Sequence, residues 1–158
     1  MDLAPSGQVI RRTVKRMKVS ELKEKLITEG CNADNFAVLS RSHDAFCLDK
    51  IGNEWTIFYS ERGHDSKPIF TTENEQEACE FFYNYVRKQQ HWHIVGFFKS
   101  EEDAKELEIK LSSIGVNPIR NDIPAYKTVN DPRYRVFVSG KDIFKVIEHF
   151  GKIEINDA

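Results

Sequence analysis

The stretch AFCLDKI-GN-EWTIFYS, residues 45–60, restricts the fold more than any other part of the chain. Two runs rich in aromatic and aliphatic residues are joined by Gly52-Asn53 alone. A two-residue connection of this kind signals a tight antiparallel hairpin. Successive side chains of a strand point to opposite faces, so Trp55, Ile57 and Tyr59 are expected on one face and Phe58 on the other.

The flanking segments supply further elements. Ser20 is a candidate N-cap for a helix running to Gly30, with Leu22, Leu26 and Ile27 on its inner stripe. FAVLS (36–40) reads as a strand before the hairpin, and PIFTT (68–72) as a short one after it. Thr72 and Glu75 have capping-box spacing, and Glu73, Glu75 and Glu77 suit the positive end of a helix dipole. Ala78, Phe81, Phe82, Tyr85 and Val86 follow the i, i+3, i+4, i+7, i+8 pattern of a buried helical stripe. Residues 17–88 therefore read α-β-β-β-α.

A second unit is expected over 89–158. It opens with the strand HWHIVGFF (91–98), followed by a helix over 101–114 capped by Ser100 and closed by Gly115. Extended segments at 116–128 and 133–138 flank the turn NDPR. Ser139 is then placed to cap a helix carrying Ile143, Phe144, Val146, Ile147 and Phe150, and KIEI (152–155) reads as a last strand. The order β-α-β-β-α-β is that of a ferredoxin-like sandwich. Helices on one face of a sheet in both units make the class α+β.

Charge is uneven. The formal net charge of the 158 residues is −2, but residues 1–19 carry +4, residues 20–88 carry −5 and residues 89–158 carry −1. Residues 1–16 lack periodicity and read as a flexible basic arm ahead of a natural start at Met17. The opening MDLAPSGQVIRRTVKRMK has no apolar core beside its basic residues, so it does not read as a secretory signal. No window approaches the roughly 18 apolar residues of a membrane span. The cytoplasm is the expected compartment. There Cys31, Cys47 and Cys79, an odd number without CxxC spacing, behave as small apolar residues.

Few residues suggest chemistry. His91 and His93 alternate along a strand and can face the same way, but two same-face histidines leave a zinc site one or two ligands short. There is no GxSxG elbow, no HExxH and no phosphate-cradling glycine loop. Cys47 sits mid-strand among apolar neighbours. No enzyme activity, cofactor or metal is expected. The ferredoxin-like order invites an RNA-recognition reading, and RYRVFVSG (133–140) offers Tyr134 and two arginines for base stacking. It lacks the glycine–aromatic pattern of that family's central strand, and the unit is slightly acidic.

The remaining motif is FYSERGHDSK (58–67), where an apolar strand ends in Glu61, Arg62, His64, Asp65 and Lys67 around Gly63. Arg62 is placed to bridge its acidic neighbours. W-x-I-F-Y-S-E-R-G followed by IFTTENEQEACEFF resembles a family of small bacterial immunity proteins found beside polymorphic or contact-dependent toxins. Its members join a strand ending in Tyr-Ser-Glu-Arg-Gly to a helix opening on Glu, Glu, Ala and Cys. The matching positions are Trp55, Tyr59, Ser60, Glu61, Arg62, Gly63, Phe70, Glu75, Glu77, Ala78 and Cys79. The resemblance covers about 17–88, and residues from 89 onward depart from the single-domain pattern. It implies an immunity protein that binds a cognate toxin domain and occludes its active site or substrate access. Tyr59, Glu61, Arg62, His64 and Asp65 are the expected contacts, and the −5 region suits a basic target. The alternatives are a ligand-sensing regulatory module built on the ferredoxin-like half, and a nucleic-acid-binding protein using the basic arm.

Overall fold

A computed structural model describes residues 16–155; the expected basic arm, apart from Arg16, lies outside the described residues. In chain order the elements are α1 (Val19–Thr28), β1 (Phe36–Val38), β2 (Ala45–Ile51), β3 (Glu54–Glu61), β4 (His64–Asp65), β5 (Phe70–Thr72) and α2 (Glu75–Arg87). They continue with β6 (Trp92–Phe98), α3 (Glu101–Ser113), β7 (Ile119–Arg120), β8 (Tyr134–Ser139) and α4 (Asp142–Phe150). Among the described residues, four α-helices and two sheets make the class α+β. The chain divides into two units. Among the described residues, those up to Lys25 and Phe36–Tyr85 form one, and Leu26–Asn35 with those from Val86 onward form the other.

In the first unit the hairpin forms as its turn dictates. Gly52 has φ 62 while Asn53 does not enter the left-handed region, the pattern of a type II′ turn. The β2–β3 register pairs Leu48 with Ile57 and Cys47 with Phe58. One face carries Phe46, Leu48, Trp55, Ile57 and Tyr59; the other carries Ala45, Cys47 and Phe58. β4 and β5 share the far edge of β3. The aromatic stripe of α2 covers the first face, with Phe82 fully buried and Phe81 and Tyr85 half-buried. Phe46 meets Tyr85 edge-on at 5.1 Å, and Phe81 stacks on Phe70 at 4.3 Å.

β1 departs from the usual meander, because it pairs with β2 in parallel. Parallel neighbours normally need a crossover of about a dozen residues, yet only residues 39–44 intervene. The chain reverses within this span by placing Leu39 (φ 58) and Asp44 (φ 52) in the left-handed region. Leu39 N–H then extends the ladder to the Leu48 carbonyl at 2.7 Å.

Two helix caps differ from the local reading of the first unit. Ser20 lies inside α1, whose Val19 N–H donates instead to Glu75 Oε2 at 3.0 Å. Glu75 is therefore committed to another helix, and the Thr72/Glu75 box does not form. Asn74 caps α2, its Oδ1 accepting from Glu77 N–H at 2.9 Å, and Thr72 Oγ1 accepts from Asn74 N–H.

The second unit is β-α-β-β-α with sheet order β6-β8-β7, all antiparallel. This is the ferredoxin-like order without its fourth strand. KIEI forms no strand: Ile153 packs onto the core of Val95, Ala104, Leu111, Val116, Val136, Val138 and Val146, while Lys152, Glu154 and Ile155 stay exposed. The 116–128 segment pairs only at β7 and at an isolated Ile123–Arg133 bridge. Ser139 ends β8, and Lys141 takes the position before α4. Leu26–Asn35 is held in this unit by the two histidines considered as ligands. His91 Nδ1 accepts from Asn32 N–H at 3.0 Å, which leaves Nε2–H to donate to the Val86 carbonyl at 2.7 Å. His93 Nε2 donates to the Gly30 carbonyl at 2.8 Å. Both rings serve as backbone clamps.

Gly30 tests this docking. It has φ 84, and a Cβ there would stand 2.5 Å from Lys141 N and 2.6 Å from Gly140 C. Gly52 has φ 62 with nothing within 4 Å. Gly52→Ala should therefore cost only the backbone strain of an L-residue at the first position of a type II′ turn, about 1–3 kcal/mol. Gly30→Ala adds a backbone overlap and should lower the urea midpoint clearly further.

Candidate functional site

The FYSERGHDSK motif ends the first sheet as a second tight hairpin. Arg62 (φ 50) and Gly63 (φ 81) are both left-handed, the pattern of a type I′ turn, and Glu61 pairs with His64 across it. Gly63 takes this conformation freely, whereas an arginine there is strained. The hairpin distributes the expected contact residues over two faces. Tyr59, Glu61 and His64 share one face, Asp65 pairs with Ser60 on the other, and Arg62 stands at the tip. All but the half-buried Tyr59 are exposed.

Arg62 does not bridge its neighbours. That role belongs to Arg41, in the 39–44 return, which the sequence did not single out. Its Nε donates to Asp65 Oδ2 at 3.1 Å and its Nη1 to Asp49 Oδ2 at 3.2 Å. The guanidinium lies over the Phe58 ring at 5.0 Å. It thus covers the small apolar cluster of Ala37, Cys47 and Phe58 on the face that α2 does not cover. The hydrogen bond with Asp65, then its charge, hold the Arg41 pKa above the ordinary value. Beside the clasp, Arg41, Ser42, His43, Ser60, Gly63 and Asp65 line a cavity of 180 Å³. The signal for this half of the site was the polar run SRSHD between two apolar strands.

On the opposite face Tyr59 packs edge-on against Phe46 at 4.9 Å. Burial raises the pKa of its hydroxyl, and the carboxylates of Asp44 and Glu61 raise it further. Arg62's guanidinium forms no ion pair with Glu61 or Glu73, nor any hydrogen bond, among the described residues.

Among the described residues no group of three His, Cys, Asp or Glu side chains could hold a metal ion. All three cysteines are free and buried. Burial raises each thiol, Cys79 to about 11 with help from Glu75 and Glu80, so none is poised as a nucleophile. In the second unit Tyr134 packs against the helix-covered core, with Arg120 over its ring at 5.5 Å. It is therefore not a solvent-facing stacking residue. Arg135 is held by Asn121, donating to its backbone carbonyl and its Oδ1.

No helix among the described residues is long and apolar enough to cross a membrane. Compared with family models, curated proteins and solved structures, the chain matches none.

Two measurements probe the site. Arg41→Ala should uncover the Cys47 face, lowering the melting temperature and speeding Cys47 modification by a thiol reagent. Arg41→Lys should restore little, because an ammonium lacks the planar fork that reaches both carboxylates. For Cys79 the folded state favours the neutral thiol, so its contribution is whole below the ordinary thiol range and fades as pH rises through about 11. The stability gap between parent and Cys79→Ala, read by urea titration, should narrow over that window.

Proposed function

We propose that this chain is a cytoplasmic immunity protein that binds a cognate bacterial toxin domain through the hairpin end of its first sheet. It neutralises the toxin by covering its active site or substrate path. The mechanism is complementarity without chemistry. Glu61 and Asp44 present exposed carboxylates at the end of the sheet, and the −5 charge over residues 20–88 would steer a basic partner toward it. Tyr59 is a ready anchor, an aromatic already half-buried. His64 and Arg62 complete the surface.

Arg62 carries this reading. Left-handed backbone costs an L-residue about 1–2 kcal/mol, and Asn would take the position more cheaply. Arg62's side chain returns nothing within the described chain, being exposed and unpaired. A strained residue with no internal role is what a surface kept for an external carboxylate looks like. Asp65 contributes differently, by fixing Arg41 and with it the loop that frames the hairpin.

The experiment is calorimetric titration with a toxin-like domain taken from the coding neighbourhood of this chain, and a neighbourhood without one would count against the reading. Arg62→Asn should melt higher than the parent, by about 0.5–1 kcal/mol of relieved strain, and bind more weakly. Glu61→Lys should leave melting within about 0.5 kcal/mol of the parent, as exposed changes do, and abolish binding. Parent-like binding by both variants would remove the hairpin from the interface.

A further inference from the structure

In the second unit Tyr134, Val136 and Val138 of β8 pack with side chains of α3 and α4 in the core. Arg135, Phe137 and Ser139 alternate with them and so point to the opposite face of the sheet. In the β6–β8 register Trp92 stands against Ser139, Ile94 against Phe137 and Phe97 against Arg135. The register shift between Ile94 and Gly96 inserts Val95 as an extra residue, which returns Phe97 to the face of Trp92 and Ile94. From β7, Ile119 joins them opposite Phe137.

The rings and cations of this face form one continuous row. Trp92 lies 5.7 Å from Phe137, and the Arg135 guanidinium sits over the Phe137 ring at 5.2 Å. Phe97, paired with Arg135, meets Tyr126 at 5.2 Å, and the Arg133 guanidinium follows over Tyr126 at 4.8 Å. Trp92, Phe97 and Phe137 are half-buried and Tyr126 is 36% exposed, so each ring keeps part of its surface in solvent.

The charges beside the row suit a polyanion. Residues 116–139 contain two carboxylates, and both are already engaged, Asp131 by Arg133 and Asp122 by Arg120. Arg135 is held by a neutral residue instead. Its Nε and Nη2 donate to Asn121, which leaves Nη1 without a partner among the described residues and not buried. The helices on the other face carry seven carboxylates against three lysines, so the acidity of the unit is gathered away from the row. Half-exposed rings interleaved with arginine match a ligand that has flat apolar faces on an anionic backbone. A double helix keeps its base faces stacked inside and offers none of them to the row.

We propose that the open face of the β6-β8-β7 sheet binds single-stranded nucleic acid. Bases stack on Trp92, Phe137 and Phe97, and Arg135 Nη1 donates to a phosphate oxygen. The face lies wholly within the second unit and is independent of the toxin reading.

The test is fluorescence anisotropy with the full chain and a fluorescein-labelled strand of about ten nucleotides, as RNA and as DNA, alone and annealed to its complement. At low salt at least one single strand should bind, about tenfold or more tighter than its duplex. Phe137→Ala removes one stacking surface and should weaken binding by about tenfold. Arg135→Gln keeps the rings and should lower the salt slope by about 0.7, the loss of one phosphate contact. Melting curves of both variants accompany the titrations, and Arg135→Gln decides the matter where Phe137→Ala fails to fold. No binding of either strand at about 100 μM, or equal binding of strand and duplex, would overturn the proposal. So would parent-like binding and salt slope in the folded variants, because the contact would then lie elsewhere, as on the basic residues 11–18.

Discussion

Seven cross-strand pairs join β2 to β3, and the rest of the first unit is arranged around the two faces they define. Because strand side chains alternate, this ladder commits Phe46, Leu48, Ile57 and Tyr59 to one side and Ala45, Cys47 and Phe58 to the other. A second helix could have covered the smaller side. Instead the 39–44 return passes over it and lowers Arg41 onto Phe58, with Asp49 and Asp65 as anchors. The cover is thin and charged. Through Asp65 it ties β4 to the loop in front of β2.

The parts of this fold legible in the sequence were those governed by a local period. The Gly52-Asn53 hairpin, the α2 stripe and the inner Leu22 and Leu26 of α1 all follow from spacing, and the α+β class follows from them. What escaped was set by long-range partners. A serine before an apolar run reads as a cap, yet Val19 N–H finds Glu75, 56 residues away. Arg62 stands beside carboxylates in sequence, but Arg41 reaches Asp65 from 24 residues away. Parallel pairing of β1 was hidden because so short a return between parallel strands is rare. In the candidate site the hairpin half was therefore readable and the SRSHD half was not.

The C-terminal segment shows a different limit. KIEI alternates as a strand should, and the preceding order calls for one. Alternation states only that every second side chain wants burial, and Ile153 obtains it by packing on the core without joining the ladder. The cost of stopping there falls on the neighbours. β6 has a ladder partner on one side alone among the described residues, with Asn32 Nδ2 on the outer Trp92 carbonyl, and Phe144, Ile147 and Phe150 of α4 stay 40–46% exposed.

Backbone strain is distributed just as unevenly. Four non-glycine residues among those described have positive φ: Leu39, Asp44, Arg62 and Asn130. Asparagine and aspartate tolerate the left-handed region through their short polar side chains, which accounts for Asn130 and Asp44. Leu39 is exposed at 52% and ill-suited to it, but topology explains the cost, since the chain must turn there for β1 to lie parallel to β2. Arg62 is left. The two-residue turn needs a left-handed conformation at that position but no particular side chain, and the arginine's charge meets no partner within the described chain. Local stability would favour asparagine at this point. Nothing among the described residues favours an arginine over an asparagine there, and that, more than the acidity around it, is what directs attention to the tip of the hairpin.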